Sequence, residues 1–354
     1  MLTWSVSKQE EGRRLDRFLM KLFPKAPLSL IYKALRTKTV KLNGKKGSPA
    51  DRLQEGDVIH VFFSDVRAAE LGYPGTESSS KEVLIGPDFP VIPIIYEDQR
   101  ILIFNKPAGV LSQKDTAQSI SLSEYLLQYL SRKEEYDPRQ SMGFRPGICN
   151  RLDRNTSGIV VAAKTLSAAQ AVNAAIRTHQ VEKVYLAICQ GDCFWTEERL
   201  LVHRWLKDPA QNRVQLEKYI ENTEYREKEK HTGSDTIACR AQALATNPQK
   251  HLTLFRLQLI TGKSHQLRAQ LAFEGFPILG DHKYGGEMSA ATSFHIKHQL
   301  LHAYQFRLCH VSDSLLDLTG RTFTATPSDE FQRILKNTFP NWFFILSDSG
   351  ENNV

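Results

Sequence analysis

The chain has 354 residues, 41% of them hydrophobic, and a formal net charge of +7. That is enough apolar material for a sizeable core and enough length for more than one domain, and the basic balance favours nucleic acid or another anionic surface as partner. The five cysteines (Cys149, Cys189, Cys193, Cys239, Cys309) are scattered without a Cys-x-x-Cys pair, which argues against a zinc site. No apolar run approaches the ~20 residues of a membrane span, so no membrane partner is expected.

In chain order, the first module is read over residues 12–63. Leu15, Phe18, Leu19 and Leu22 follow helical spacing, and a second helix runs from near Ser29 to Arg36 with Ile31 and Leu35 inward. Thr39 to Leu42 reads as a strand, Asn43-Gly44 as a two-residue hairpin turn, and Val58 to Val61 as a returning strand. Between Lys21 and Arg52 the cations Lys33, Arg36, Lys38, Lys41, Lys45 and Lys46 stand among others, with Asp51 the one acid. Such clustering suits a phosphate-binding surface, and it suits an ordinary solvated face equally well.

Residues 64–90, rich in Gly, Pro, Ser and acids, read as a linker. From residue 91 to 340 apolar strands alternate with helical stretches, and 341–354 form a polar tail. Ile101 to Phe104 is a strand ended by the turn Pro107-Ala108-Gly109. Ile159 to Ala163 is a buried strand. Val181 to Cys189 alternates with period two, setting Val184, Leu186 and Ile188 on one face and Lys183, Tyr185 and Ala187 on the other. A strand from Leu254 to Ile260 leads into a helix with Ser264 as its expected N-cap.

The segment from Asn150 to Gly158 places Asp153 between Arg151 and Arg154, just before a polar turn. A carboxylate among cations is favoured in its charged form, available as a nucleophile, and the arginines suit an RNA substrate.

This segment resembles the "HRLD-x-x-TSG" motif of the RluA-type pseudouridine synthases, with Asn150 in place of the usual His. Asn105 to Gly109 resembles their "NKPAG", Lys183 to Ala187 their "K-x-Y-x-A", and Thr261 to Leu271 their "TGRTHQIRVHL", with Lys263 and Ser264 for Arg and Thr. Pro277 to Gly285 and Leu301 to Ala303 resemble two further elements. The resemblance implies Asp153, Tyr185 and Arg268 as catalytic residues, Arg268 pairing with the aspartate. It also implies Arg151, Leu301 and Lys263 as substrate contacts. His265, read from its residues alone, is a structural histidine.

Residues Val40 to Lys46 and Leu53 to Ile59, after two helices, resemble the S4 RNA-binding domain. The resemblance implies an α+β protein: a catalytic domain on a mixed, mainly antiparallel sheet with flanking helices and a central cleft, preceded by a small S4-type α+β domain. It implies uridine isomerisation in RNA, with no cofactor and no metal. Large-subunit ribosomal RNA is the expected partner, with transfer RNA or a non-catalytic ribosome-assembly role as alternatives. The N-terminus shows no basic region followed by an apolar one, so a cytoplasmic protein is expected, as a monomer.

Overall fold

A computed structural model describes residues 2–73, 89–116, 119–137, 144–208, 213–218, 236–285 and 294–341. The first stretch holds β1 (Leu2–Ser5), α1 (Leu15–Leu22), α2 (Leu28–Arg36), β2 (Val40–Leu42), β3 (Lys45–Lys46), β4 (Val58–Val61) and α3 (Asp65–Glu70). The strands pair antiparallel in the order β1-β4-β2-β3. The apolar stripes of α1 and α2 bury Leu15, Phe18, Leu19, Leu22, Ile31 and Leu35 against Val40, Ile59 and Val61, one face of the sheet. Asn43 and Gly44 both take positive φ (50° and 75°), closing the β2–β3 turn as expected.

Two boundaries differ from those read in the sequence. The unit begins at β1, whose Leu2 faces Val61, and not at residue 12. It also extends into the segment that reads as linker. Ser64 caps α3, Ala68 and Leu71 are buried, and Tyr73 packs edge-on to Trp4 at 5.7 Å. Ser64, Asp65, Glu70 and Gly72 punctuate this stretch, so composition suggests a tether, but Ala68, Leu71 and Tyr73 land on the core. At the other end Phe89 stacks on Tyr125 at 5.7 Å. Of the linker, residues 74–88 lie outside the described residues, as do residues 342–354 of the expected tail.

The second unit contains β5 (Ile94–Glu97), β6 (Ile101–Lys106), α4 (Leu122–Arg132), β7 (Gly147–Ile148), β8 (Ser157–Ala163), α5 (Leu166–Arg177), β9 (Val181–Gln190), β10 (Arg199–Asp208), β11 (Arg213–Lys218), β12 (Thr236–Asn247), β13 (Leu252–Leu259), α6 (Gln266–Phe273), β14 (Leu301–Leu308), β15 (Thr322–Thr324) and α7 (Asp329–Thr338). The sheet runs β11-β10-β12-β13-β9-β14-β8-β6-β5, with β15 beside β14 and β7 beside β8. Among the described residues its strands all pair antiparallel except β14 with β8. At this parallel seam the backbones approach so closely that a Cβ on Gly158 (φ +112°) would lie 2.2 Å from the Ala303 carbonyl oxygen.

At β6, β8 and β9 both faces of the sheet are buried. Helices α4 and α6 cover one, through Leu122, Leu126, Leu130, Leu267 and Leu271 against Phe104, Val160 and Phe255. Helices α5 and α7 cover the other. Alternation along β9 puts Tyr185 on the first face and Leu186 and Ile188 on the second. The fold is therefore α+β on a mixed, mainly antiparallel sheet with flanking helices. Among the described residues no helix is long and apolar enough to cross a membrane.

Candidate active site

The loop entering β8 is pinned by buried polar groups. Asn150 Nδ2 donates to the Ile159 carbonyl (3.1 Å), and its Oδ1 accepts from the Val161 N–H (2.8 Å). Ser112 Oγ binds both the N–H and the carbonyl of Leu152 at 3.0 and 2.8 Å. Lys106 is fully buried, and its Nζ donates to the carbonyls of Pro107, Val110 and Arg154 at 3.0, 2.8 and 3.0 Å. Burial pulls this amine down to about 7, and the Asp153 charge pulls the other way. Three short contacts to acceptors need three N–H donors, so the group sits there as an ammonium. The segment around the Pro107-Ala108-Gly109 turn, through Lys106, thus fastens the aspartate loop.

Asp153 Oδ2 accepts from Arg268 Nη1 at 2.9 Å. The other edge of the same guanidinium, Nε and Nη2, clasps Asp281 at 2.6 and 2.8 Å. Burial alone would lower the arginine's pKa, but the Asp281 and Asp153 carboxylates outweigh it and raise it. Asp281 is the anchor: it is buried, it accepts a backbone N–H from Lys283, and it fixes the arginine in the plane that meets Asp153.

A cavity of about 540 Å³ opens over this pair, and Arg151, Asp153, Tyr185, Lys263, Arg268 and Leu301 all line it. The structure therefore brings together every residue expected at the catalytic centre. Leu301 starts β14 and is buried; Tyr185 on β9 pairs across to Ala303. Burial pushes the Tyr185 phenol up, and the Asp153 charge adds to it. Lys263 Nζ lies 5.6 Å from the Trp205 ring centroid. Arg151 is exposed at the rim, with Nη1 3.2 Å from the neutral Gln113 Oε1.

Lys183 and His265 also line the cavity and were not expected there. Lys183, two positions before Tyr185, shares its face, so the strand period could have found it; burial lowers its pKa. His265 also differs from the expected α6 start, because it, and not Ser264, is the N-cap residue, in the left-handed region at φ 57°. The turn is held by the buried Gln266 side chain, whose Oε1 accepts from Thr261 Oγ1 (2.8 Å) and from the Lys263 N–H (3.1 Å). That left-handed turn puts the imidazole in the cavity, its Nε2 3.9 Å from Asp153 Oδ2.

The cations expected to bind RNA split by element. Lys33 and Arg36 are exposed on α2 beside the half-exposed Tyr32; Lys38 follows the helix with positive φ (62°). Lys41 and Lys46 face each other across the hairpin, on the sheet face away from the helices, with Lys41 Nζ 5.3 Å from the Phe62 ring; Lys45 pairs with Leu42 and is exposed. One run of cations in sequence becomes two groups in space.

The family model described as RNA pseudouridylate synthase matches residues 100–273, which contain Asp153, Tyr185 and Arg268. An uncharacterized RNA pseudouridine synthase of Mycoplasma capricolum is 30% identical over 292 residues, covering 81% of this chain and 86% of its own. The chain belongs to the RluA/RluC-type RNA pseudouridine synthase family. It is an RNA pseudouridine synthase, an isomerase. The Rickettsia bellii protein named ribosomal large subunit pseudouridine synthase C is 29% identical over 291 residues, covering 82% of this chain and 87% of its own. An uncharacterized RNA pseudouridine synthase of Mycoplasma genitalium is 28% identical over 312 residues, covering 85% of this chain and 87% of its own.

Proposed function

We propose that this synthase isomerises uridines in large-subunit ribosomal RNA, with Asp153 as its nucleophile or base. The observation that carries the catalytic part is the Asp153–Arg268–Asp281 chain at the floor of a cavity wide enough for a base. The substrate rests on the relatives named for the large ribosomal subunit. Isomerisation breaks the bond from N1 to the ribose, turns the base and joins C5 to the same carbon. The C5 proton leaves and N1 gains one, so there is no net redox change.

A base inside structured RNA must be flipped out, which costs a few kcal/mol. Arg151, which lines the cavity, holds the flipped nucleotide's phosphate or fills the space it leaves. Tyr185 and Leu301 form the wall against the base. With its phenol pKa raised, Tyr185 keeps its proton at neutral pH and serves as donor. Lys263 and Lys183 add positive charge where the backbone would run. Residues 2–73 act as the S4-type docking unit. The facing Lys41 and Lys46, like charges directly opposite, suit a bound anion. A monomer working in the cytoplasm completes the proposal.

The test is chemical mapping of pseudouridine in large-subunit ribosomal RNA and transfer RNA incubated with wild type or Asp153→Asn. New sites in the ribosomal RNA with wild type alone support the proposal. Sites only in transfer RNA move the substrate, and none in either favours a non-catalytic role in ribosome assembly.

A further inference from the structure

Behind Asp153, hydrogen-bonded groups run back to the β10–β11 hairpin. The Val214 N–H donates to Tyr284 Oη at 3.0 Å, and Tyr284 Oη lies 2.9 Å from His265 Nδ1. The other ring nitrogen, Nε2, faces Asp153 Oδ2 at 3.9 Å. A neutral imidazole carries its proton on one nitrogen and a lone pair on the other. A lone pair turned toward a carboxylate oxygen is repelled, and an N–H is attracted. The proton therefore belongs on Nε2, and Nδ1 accepts from the tyrosine. Burial, with the Arg268 and Lys283 charges, favours the neutral ring, against Asp153 and Asp281.

The backbone is bent to put the ring there. His265 is in the left-handed region, which non-glycine residues seldom occupy and which persists where the surroundings enforce it. Oδ2 of Asp153 is thus met by Arg268 Nη1 at 2.9 Å and faced by His265, whereas Oδ1 has no hydrogen-bond partner among the described residues. Catalytic contacts of this length often shorten in the substrate complex.

We propose that His265, held by Tyr284 with its proton on Nε2, is a positioning residue that clamps Asp153 Oδ2 together with Arg268 and leaves Oδ1 to react. This rests on Asp153 being the catalytic carboxylate. His265→Leu removes the donor, and His265→Gln returns an N–H near the Nε2 position. His265→Leu lowers kcat about tenfold, the effect of one hydrogen bond to a charged group, with KM within about twofold. His265→Gln recovers kcat to within about threefold of wild type.

Nitrogen NMR of the wild-type protein labelled in histidine reads the tautomer directly, whatever the variants do to folding. It shows Nδ1 unprotonated and Nε2 protonated for His265, and Tyr284→Phe loosens that preference. Full kcat in His265→Leu, or a loss confined to KM, overturns the proposal, as does a wild-type proton on Nδ1. Activity in Asp153→Ala sinks the reading of the site beneath it, a separate outcome.

Discussion

Arg268 carries two tasks that a double substitution separates. Its guanidinium binds Asp281 twice, at 2.6 and 2.8 Å, and Asp153 once, at 2.9 Å. Arg268→Met keeps the volume but strands the buried Asp281 carboxylate, with the Lys283 N–H as its remaining hydrogen bond among the described residues. Breaking a buried pair on one side costs about 3–5 kcal/mol, a large part of a total of roughly 5–15. Adding Asp281→Asn removes the stranded charge and returns most of that stability. It does not return the bond to Asp153. One hydrogen bond to a charged group contributes about 1.5–3 kcal/mol, so kcat stays down by roughly tenfold to 150-fold. Urea unfolding reads the first quantity and single-turnover isomerisation the second. The single variant should be unstable and slow, the double variant stable and still slow. If the double variant recovers both, Arg268 is scaffold and the assigned role for it is wrong.

Gly158→Ala should abolish folding or leave a protein with a broken β14–β8 seam, because the added methyl meets Ala303 backbone at 2.2 Å on a strained φ; an unchanged thermal midpoint would refute the close approach. His302 is buried, its Nε2 donating to the Ala325 carbonyl and its Nδ1 accepting from Ser157, and burial lowers its pKa to about 4. The unfolded chain takes up that proton first, so stability should fall as pH drops from about 6.5 to about 4 and level off below; His302→Gln should flatten that slope in pH-dependent unfolding. Replacing Lys33 and Arg36 with Ala should reduce the salt slope of RNA binding by about one for each phosphate no longer neutralised, with kcat unchanged on saturating RNA; an unaltered slope would remove α2 from the interface. Deleting residues 1–73, the unit as it folds, should weaken affinity far more than turnover.

The strands were legible because their apolar residues run continuously or alternate, as in Ile101 to Phe104 and along β9, and tertiary packing agrees with the local pattern. The meeting of Asp153, Tyr185 and Arg268 around one cavity was legible through the motifs, not through spacing: nothing local says that Arg268 meets Asp153, 115 positions away. What escaped were features that arise from packing. β1 is four residues with no turn signal of its own and gains meaning only beside β4. α3 looks like linker because it is short and stands among Ser64, Asp65, Glu70 and Gly72. Lys106 is a charged residue in a turn until the fold closes three carbonyls around it. His265 looked structural because its left-handed backbone, which aims the ring, is dictated by Gln266 side-chain bonds invisible in a helix-period reading. The cationic run read as one face divides because a chain passing from helix to sheet turns its side chains to different sides.

The measurement that bears most directly on Asp153 as the isomerising carboxylate is tritium release from large-subunit ribosomal RNA labelled at uridine C5, comparing wild type with Asp153→Ala. The geometry of the cavity calls for release by wild type and none above background by the variant. Equal release from both would contradict the assignment of Asp153, and silence from wild type on this RNA and on transfer RNA would contradict catalysis itself.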